Sequence, residues 1–254
     1  MTDPTASPAT RRAPTRQVTR LPNSRAAKGT TVDRVVQVLV DHIRRHSLPP
    51  GSRLPSELQM SRDLDVSRGA VREAYRSLGQ TGLVDIANGR APRVGLISNR
   101  ALLQLVQHAL WTQQVSSEDI LDLRSAIDER AAELAATRRT ADDVVALRRS
   151  VTAMTKAGFR VAAYVKADIA FHETIGRASG NLLITLVSSG LRQAMGTSIR
   201  TSLAARRSAA ELEDVVRRHS QIVDAIAARQ PAAARRLMVR HYDEARDAVR
   251  RLEI

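Results

Sequence analysis

The chain has 254 residues, 43% hydrophobic and 26% charged, a balance typical of a globular protein with one large or two ordinary domains. Its formal net charge of +14 favours an anionic partner, most simply nucleic acid. The absence of cysteine excludes disulfides, thiolate metal sites and a thiol nucleophile. No apolar run approaches the roughly 20 residues of a spanning helix, and the first residues lack the apolar segment of a secretory signal, so we expect a cytoplasmic protein.

The first 30 residues differ in composition from the rest of the chain. They are rich in Thr, Pro, Ala, Ser and Arg without apolar periodicity, which predicts a disordered basic tail over residues 1–30. The tail carries six basic residues and one acidic residue, Asp3. It therefore either adds contacts to nucleic-acid phosphates or is a solvated leader. Residues 31–46 carry an apolar stripe at helical spacing, which predicts an amphipathic helix that ends before Pro49 and Pro50.

Two short helices and a hairpin are predicted next. Ser56 and Gln59 form a capping box before a helix that ends near Leu64, and Ser67 caps a second helix, RGAVREAYRSLGQ, which is rich in arginine. Asn88-Gly89 then lies between two short extended runs, a strong sign of a hairpin. Together these elements predict a winged helix-turn-helix over residues 31–98, with three helices and a small β-hairpin wing. The alternative is a small helical subdomain whose arginines are merely solvated.

The same stretch resembles a known family. The run LPSE-x8-VSRGAVREA-x2-SL-x3-GLV-x4-GR is similar to the DNA-binding domain of the GntR family of bacterial transcription regulators. The resemblance implies that operator DNA is contacted by Arg68, Gly69, Ala70, Arg72 and Gly89. We add four neighbouring candidates: Arg53, Ser67, Asn88 and Arg90. The chain departs from the family pattern in two ways: Leu58 stands where the family usually has Arg, and Gly69 and Ala70 stand where it has hydroxylated residues or Pro. These departures affect which bases the domain prefers, but not how it docks on DNA.

Beyond residue 98 the pattern contains helices and no strand signal. It predicts an all-α bundle of six or seven helices over residues 99–254, near 100–114, 117–137, 140–157, 161–178, 181–205, 208–228 and 231–252. The fold class is therefore mainly α. Aromatic residues are only 2% of the chain, so aliphatic side chains must fill this core, and we expect Trp111, Tyr164 and Phe171 to join them. Asn181 is expected to cap a helix.

One carboxylate and three histidines form the most suggestive pattern in the second half. Asp168 and His172 are four residues apart and share one helical face. His219 and His241 flank Pro231 almost symmetrically, so in a helical hairpin both would lie on the order of 16 Å from the turn. Such a set suits a divalent transition metal. The spacing equally allows a simple ion pair between Asp168 and His172, with His219 at the surface.

A second resemblance covers residues 101–250. The runs DLRSAIDERAAELAA and ADIAFHETIGRASGN, followed by two histidines on the last helices, are similar to the FadR-type effector domain called FCD. The resemblance implies that a divalent metal is held by Asp168, His172, His219 and His241, and that Arg124 pairs with a small carboxylate effector. Zinc is the first expectation, with nickel or manganese as alternatives. Arg124 would otherwise form an ion pair with Asp128 within its helix.

These patterns favour a ligand-responsive, nucleoid-associated transcription regulator rather than an enzyme. We expect a repressor of the FadR subfamily that binds a pseudo-palindromic double-stranded DNA operator as a homodimer and has no membrane partner. Two alternatives remain at this point. One is a metal-dependent hydrolase, although no further acid or base is placed like the Glu of an H-E-x-x-H helix. The other is an architectural DNA-binding protein with a structural metal.

Overall fold

The computed structural model describes residues 29–86, 90–195 and 208–250. The chain divides into two compact units, one that extends to Leu96 and one that begins at Ile97. The predicted basic tail lies outside the described residues except for its last two. Of these, Thr30 belongs to the folded unit, because its side chain caps the first helix in a capping box with Asp33. No helix among the described residues is long and apolar enough to cross a membrane.

The first unit contains three helices and a two-stranded antiparallel sheet. Their bounds are α1 Thr31–Arg45, α2 Glu57–Leu64, α3 Arg68–Gln80, β1 Val84–Asp85 and β2 Arg93–Val94. Asp65 adopts a left-handed conformation, with φ of 52°, and this makes the sharp turn between α2 and α3. Val84 pairs with Val94 across the sheet. The predicted winged helix-turn-helix is therefore confirmed, although Asn88 and Gly89 of the wing lie outside the described residues.

Buried side chains from every element of this unit form one core. It is built from Val35, Val38, Leu39, Leu54, Met60, Leu64, Val71, Ala74, Tyr75, Leu78, Val84 and Val94. The base of the wing is fixed by backbone contacts, since the Gly95 amide donates to the Leu83 carbonyl over 2.9 Å. A Cβ at Gly95 would lie 2.0 Å from the carbonyl oxygen of Gly82, so only glycine fits there. The core and these contacts hold α3 with its N-terminus exposed.

The second unit is helical throughout its described residues. Its helices are α4 Arg100–Trp111, α5 Ser117–Arg138, α6 Ala141–Ala157, α7 Val161–Ala178, α8 Leu182–Ala194, α9 Ala209–Ala227 and α10 Pro231–Arg250. Ser116 and Thr140 form capping boxes that start α5 and α6. Asn181 caps α8, as predicted, by accepting the amides of Leu183 and Ile184. The helix predicted over 181–205 can be followed to Ala194, and its remainder from residue 196 lies outside the described residues.

Helix α5 lies at the centre of this bundle and packs against α7, α8, α9 and α10. Its C-terminal half presents four fully buried alanines, Ala131, Ala132, Ala135 and Ala136, whose small side chains let neighbouring helices approach closely. Its N-terminal half carries the buried Arg124 and Asp128 instead. Tyr164 and Phe171 are buried as predicted, whereas Trp111 is 78% exposed, because α4 buries no residue at all within the described chain.

Candidate functional site

Three histidines from three different helices meet inside the second unit. His172 comes from α7, His219 from α9 and His241 from α10, and their candidate ligand nitrogens lie within 4.8 Å of one another. Asp168 precedes His172 by one turn of α7, and its Oδ1 lies 3.3 Å from His219 Nε2 and 3.9 Å from His172 Nε2. The structure therefore brings together all four residues that the sequence predicted as metal ligands. The hairpin of α9 and α10 places His219 and His241 close together, as their spacing predicted.

Hydrogen bonds at the far side of two rings decide which nitrogen faces the centre. The His219 Nδ1 lies 2.8 Å from the Val215 carbonyl oxygen, which can only accept, so this nitrogen carries the proton. The His172 Nδ1 lies 3.0 Å from an Asp128 carboxylate oxygen and donates to it in the same way. Both Nε2 atoms are consequently lone-pair acceptors in the neutral rings. Both are buried without a hydrogen-bond partner among the described residues.

An acceptor nitrogen that faces a carboxylate oxygen at 3.3 Å is unfavourable unless a proton or a cation lies between them. The Nε2 atoms of His172 and His219 both face Asp168 Oδ1. In metal sites a carboxylate commonly accepts a hydrogen bond from the other ring nitrogen of a ligating imidazole, as Asp128 does from His172 here. The donor set of three imidazoles and one carboxylate is that of zinc and related transition metals. The residues present therefore fit a divalent metal.

The pKa shifts of the cluster favour the protonation states that bind a metal. Burial lowers the pKa of His172 to about 4, with a further contribution from the positive charge of Arg192. Burial and the neighbouring His219 also hold the pKa of His241 well below its usual value. Burial alone would raise the pKa of Asp168, but the Arg192 guanidinium, together with His219 and His172, holds that pKa well below the ordinary range. Neutral imidazoles beside an ionised carboxylate are ready to bind a cation.

The sequence did not predict the role of Arg192, which lies on α8 and is 2% exposed. Its Nη1 donates to Asp168 Oδ2 over 2.6 Å, and its Nη2 donates to Asp128 Oδ2 over 3.2 Å. The two oxygens of Asp168 therefore have different partners: Oδ2 accepts from Arg192, and Oδ1 faces the imidazoles of His172 and His219. The one available signal was that Arg192 is the only charged residue in the α8 sequence LLITLVSSGLRQA.

Arg124, the predicted effector contact, is 3% exposed and lies beside this cluster. Its Nη2 donates to the Tyr242 hydroxyl over 2.9 Å, and it forms no ion pair within the described residues. The alternative pairing with Asp128 is therefore not formed. The carboxylate of Asp128 instead accepts from Tyr242, Ser188, Arg192 and His172. Arg124 is left as a buried cation without a carboxylate of its own, and its Nε has no partner.

The predicted DNA contacts in the first unit lie in three places: before α2, at the start of α3, and between the two strands of the wing. Arg53, Ser67, Arg68, Gly69, Arg72 and Arg90 are exposed, Ala70 is half-buried, and Asn88 and Gly89 lie outside the described residues. Ser67 starts the helix by accepting the Ala70 amide over 3.2 Å. Arg72 Nε lies 3.3 Å from Glu57 Oε2, so α2 orients this guanidinium. These side chains suit the recognition helix of a helix-turn-helix.

Comparison with known proteins agrees with both units. Residues 31–94 match the family described as bacterial regulatory proteins, gntR family, and residues 119–244 match the FCD domain. The chain belongs to the GntR family. The Glc operon transcriptional activator of Escherichia coli (strain K12) is 29% identical to this GntR-family chain over 195 residues, which cover 74% of the chain and 77% of the activator.

Two further relatives and one solved structure extend the comparison. The transcriptional regulator LutR of Bacillus subtilis (strain 168) is 28% identical over 211 residues, 82% of this chain and 95% of LutR. The transcriptional repressor NanR of Enterobacter sp. (strain 638) is 27% identical over 220 residues, 83% of this chain and 82% of NanR. The Streptococcus agalactiae GntR structure superposes with a TM-score of 0.61 at 24% identity, covering 85% of this chain and 99% of that one, which shows a shared fold. The protein is therefore a DNA-binding transcription regulator with an FCD domain and not an enzyme.

Proposed function

We propose that this GntR-family protein is a ligand-responsive repressor of the FadR subfamily whose second unit binds a divalent metal and a small organic acid. The observation that carries the proposal is the orientation of His172 and His219. Each ring uses Nδ1 to donate elsewhere, which leaves two buried, unpartnered Nε2 lone pairs directed at the Asp168 carboxylate. A cation at this point satisfies all of these acceptors at once, and His241 supplies a fourth ligand.

The metal is proposed to be zinc, with nickel and manganese as alternatives, because imidazole and carboxylate ligands suit all three and cellular supply decides between them. Asp168, His172, His219 and His241 would hold it. When bound, the ion supplies a Lewis-acidic centre that can take an oxygen of an anionic ligand. The chain's own contribution is orientation, since Asp128 fixes the ring of His172 and Arg192 fixes the carboxylate of Asp168.

Arg124 supports the second half of the proposal, a small acid as the effector. A buried guanidinium keeps its charge, and burying it without a counter-ion is costly. Its described partners are the Tyr242 hydroxyl and the Met195 sulfur, both neutral. Its planar fork is well suited to bind a carboxylate through two parallel hydrogen bonds. An acid that enters the site therefore finds an unpaired cation beside the proposed metal.

A screen of small organic acids by thermal unfolding tests the proposed function. A ligand at a hundredfold excess over its Kd is expected to stabilise the folded protein by about 2.7 kcal/mol. We expect such a shift in the zinc-loaded protein, its loss after chelation, and its loss in Arg124→Met. The matched control is Arg130→Met, because Arg130 is an exposed arginine on the same helix that pairs only with Glu133 at the surface. Acid binding that survives both chelation and Arg124→Met would contradict the proposed site.

DNA binding through α3 gives a separate prediction. Arg68→Ala or Arg72→Ala is expected to weaken operator binding by about 1–3 kcal/mol if the guanidinium reads a base edge in the major groove. Fluorescence anisotropy with operator DNA at fixed salt measures the change. Arg44→Ala is the control, since Arg44 is an exposed arginine in the last turn of α1, outside the predicted DNA contacts. Unchanged affinity in both α3 variants would refute the assignment of α3 as the recognition helix.

The operator is proposed to be pseudo-palindromic and to be bound by a homodimer, because paired recognition helices read two half-sites one helical turn apart. The relatives named above include one activator and one repressor by description, so the sign of regulation needs its own test. A promoter fused to the operator is expected to be silent with the protein and active when the acid is added. Higher expression in the presence of the protein alone would make it an activator.

A further inference from the structure

The buried charges of the second unit balance before any ion or ligand is added. Among the described residues, the buried side chains with a fixed charge are two arginines, Arg124 and Arg192, and two aspartates, Asp128 and Asp168. The three histidines must be neutral to coordinate a metal, so they add nothing. Arginine cannot lose its proton in a protein, and both aspartates accept hydrogen bonds that favour the ionised form. The four fixed charges of the site therefore sum to zero.

A divalent ion changes this sum to +2. Both carboxylates are already engaged by Arg192, so neither is free to neutralise a second cation completely. A net charge in a buried site is strongly unfavourable unless a partner of opposite sign compensates it. We propose that the metal-loaded site selects small dianions, either dicarboxylates or phosphate monoesters, over monoanions of the same size. This inference rests on the proposed metal and acid function and specifies the class of effector.

The arrangement of the two arginines provides for the second negative charge. The Nη2 atoms of Arg124 and Arg192 both donate to the hydroxyl oxygen of Tyr242, at 2.9 Å and 3.1 Å. Two guanidiniums therefore approach the same oxygen atom and repel each other, and Asp128, the carboxylate to which this hydroxyl donates, bonds only to Arg192 of the two. Both Nε atoms are buried without a partner. A ligand with two anionic groups can meet the metal with one and this arginine pair with the other.

Charges outside the cluster do not alter the sum. Charged side chains of α5 and α10 outside the cluster form ion pairs at the surface, such as Arg246 with Asp122 and Arg235 with Glu129. At least one partner in each of these pairs is largely exposed, so water and salt screen its charge. The preference for dianions is thus expected to arise within the buried cluster, where screening is weakest.

Matched pairs of acids test the inference with the full-length, zinc-loaded protein. Calorimetric titration compares succinate with butyrate and malonate with propionate, which differ in charge at constant carbon number, and methyl phosphate represents the phosphate monoesters. We expect each favoured dianion to bind at least about tenfold more tightly than its monoanion, equivalent to about 1.4 kcal/mol. The preference is expected to vanish in chelated protein, because that site lacks the two positive charges of the metal. Zinc retained after titration is measured to show that the acids do not strip the metal.

Two substitutions at one position separate charge from geometry. Arg192→Gln lowers the charge of the loaded site by one and is expected to abolish most of the dianion preference, whereas Arg192→Lys keeps the charge and the preference. Loss of the preference in both variants would assign Arg192 a geometric role and overturn the charge argument. If Arg192→Gln does not fold, the comparison of acids in the unmodified protein decides alone.

The outcomes distinguish this inference from the proposed function. Monoanions that bind the zinc-loaded protein within about twofold of their dianions would overturn the inference and leave the proposed metal and acid site intact. A dianion preference of equal size in chelated protein would also overturn it, since the metal would then play no part. Failure of every acid to bind the zinc-loaded protein would overturn both. If the protein binds the dicarboxylates but not methyl phosphate, the effector is a dicarboxylate. If it binds methyl phosphate but not the dicarboxylates, the effector is a phosphate monoester.

Discussion

Arg192→Met is expected to destabilise the second unit by about 3–5 kcal/mol, the usual cost of removing one partner from a buried ion pair. The substitution preserves most of the side-chain volume but leaves the carboxylates of Asp168 and Asp128 without their shared cation. Both are almost fully buried, so water cannot replace the lost hydrogen bonds. Urea unfolding followed by circular dichroism on metal-free protein measures the loss, because most of the described helical residues lie in this unit.

A matched control and a second variant make this prediction specific. Arg177→Met removes an exposed arginine on α7 whose partner, Asp143, lies 3.7 Å away, and it is expected to change stability by less than about 0.5 kcal/mol. Adding Asp128→Asn to Arg192→Met is expected to recover part of the loss, because one of the two uncompensated charges disappears. A loss below about 1 kcal/mol in Arg192→Met would mean that the two aspartates do not depend on this arginine.

His219→Ala is expected to abolish the stabilisation that a divalent metal gives. A metal at a thousandfold excess over its Kd should stabilise the folded protein by about 4.1 kcal/mol, and the variant loses the ligand at the centre of the cluster. His219 is fully buried and its Nε2 lies 3.3 Å from Asp168 Oδ1, so no other described side chain is placed to replace it. Thermal unfolding with and without zinc, together with chelator competition, measures the effect.

The control for this variant is His108→Ala, because His108 is an exposed histidine on α4 outside the cluster. Operator affinity is expected to remain largely intact in His219→Ala, since the proposed DNA contacts lie in the first unit. Loss of operator binding together with metal binding would show that the metal is structural and needed for folding or assembly. An unchanged zinc shift would show that the metal lies elsewhere or is not bound.

The helices of this protein could be predicted from its sequence because capping residues mark where they start. Ser67, Ser116, Thr140 and Asn181 each precede an apolar periodic stretch and each caps the helix that follows. The joint location of Asp168 and the three histidines was also predictable, because i,i+4 spacing and a symmetric hairpin are properties of short segments. The resemblance to known families supplied the roles of these residues.

The network behind the ligands could not be predicted in this way. Arg192 lies 24 residues from Asp168 and 64 from Asp128, so only the packing of α8 against α5 and α7 brings the three together. Tyr242 likewise reaches Asp128 across 114 residues. The prediction for Trp111 was wrong in a different way. Its large aromatic side chain suggested a position in the core, but it is exposed on α4. Long-range contacts of this kind have no periodicity that a local pattern could reveal.

The depth of the site has a consequence for the timing of regulation. Arg124 is 3% exposed, and Asp168, His172 and Arg192 are also buried, so these four side chains present little surface to solvent at which the proposed effector could bind directly. If the proposed effector enters and leaves only when the helices separate briefly, the frequency of that opening limits the rate of exchange. Such a regulator would respond with a delay and would keep its ligand after the supply has fallen. Its occupancy would then follow the recent average of the concentration of the proposed acid rather than short fluctuations.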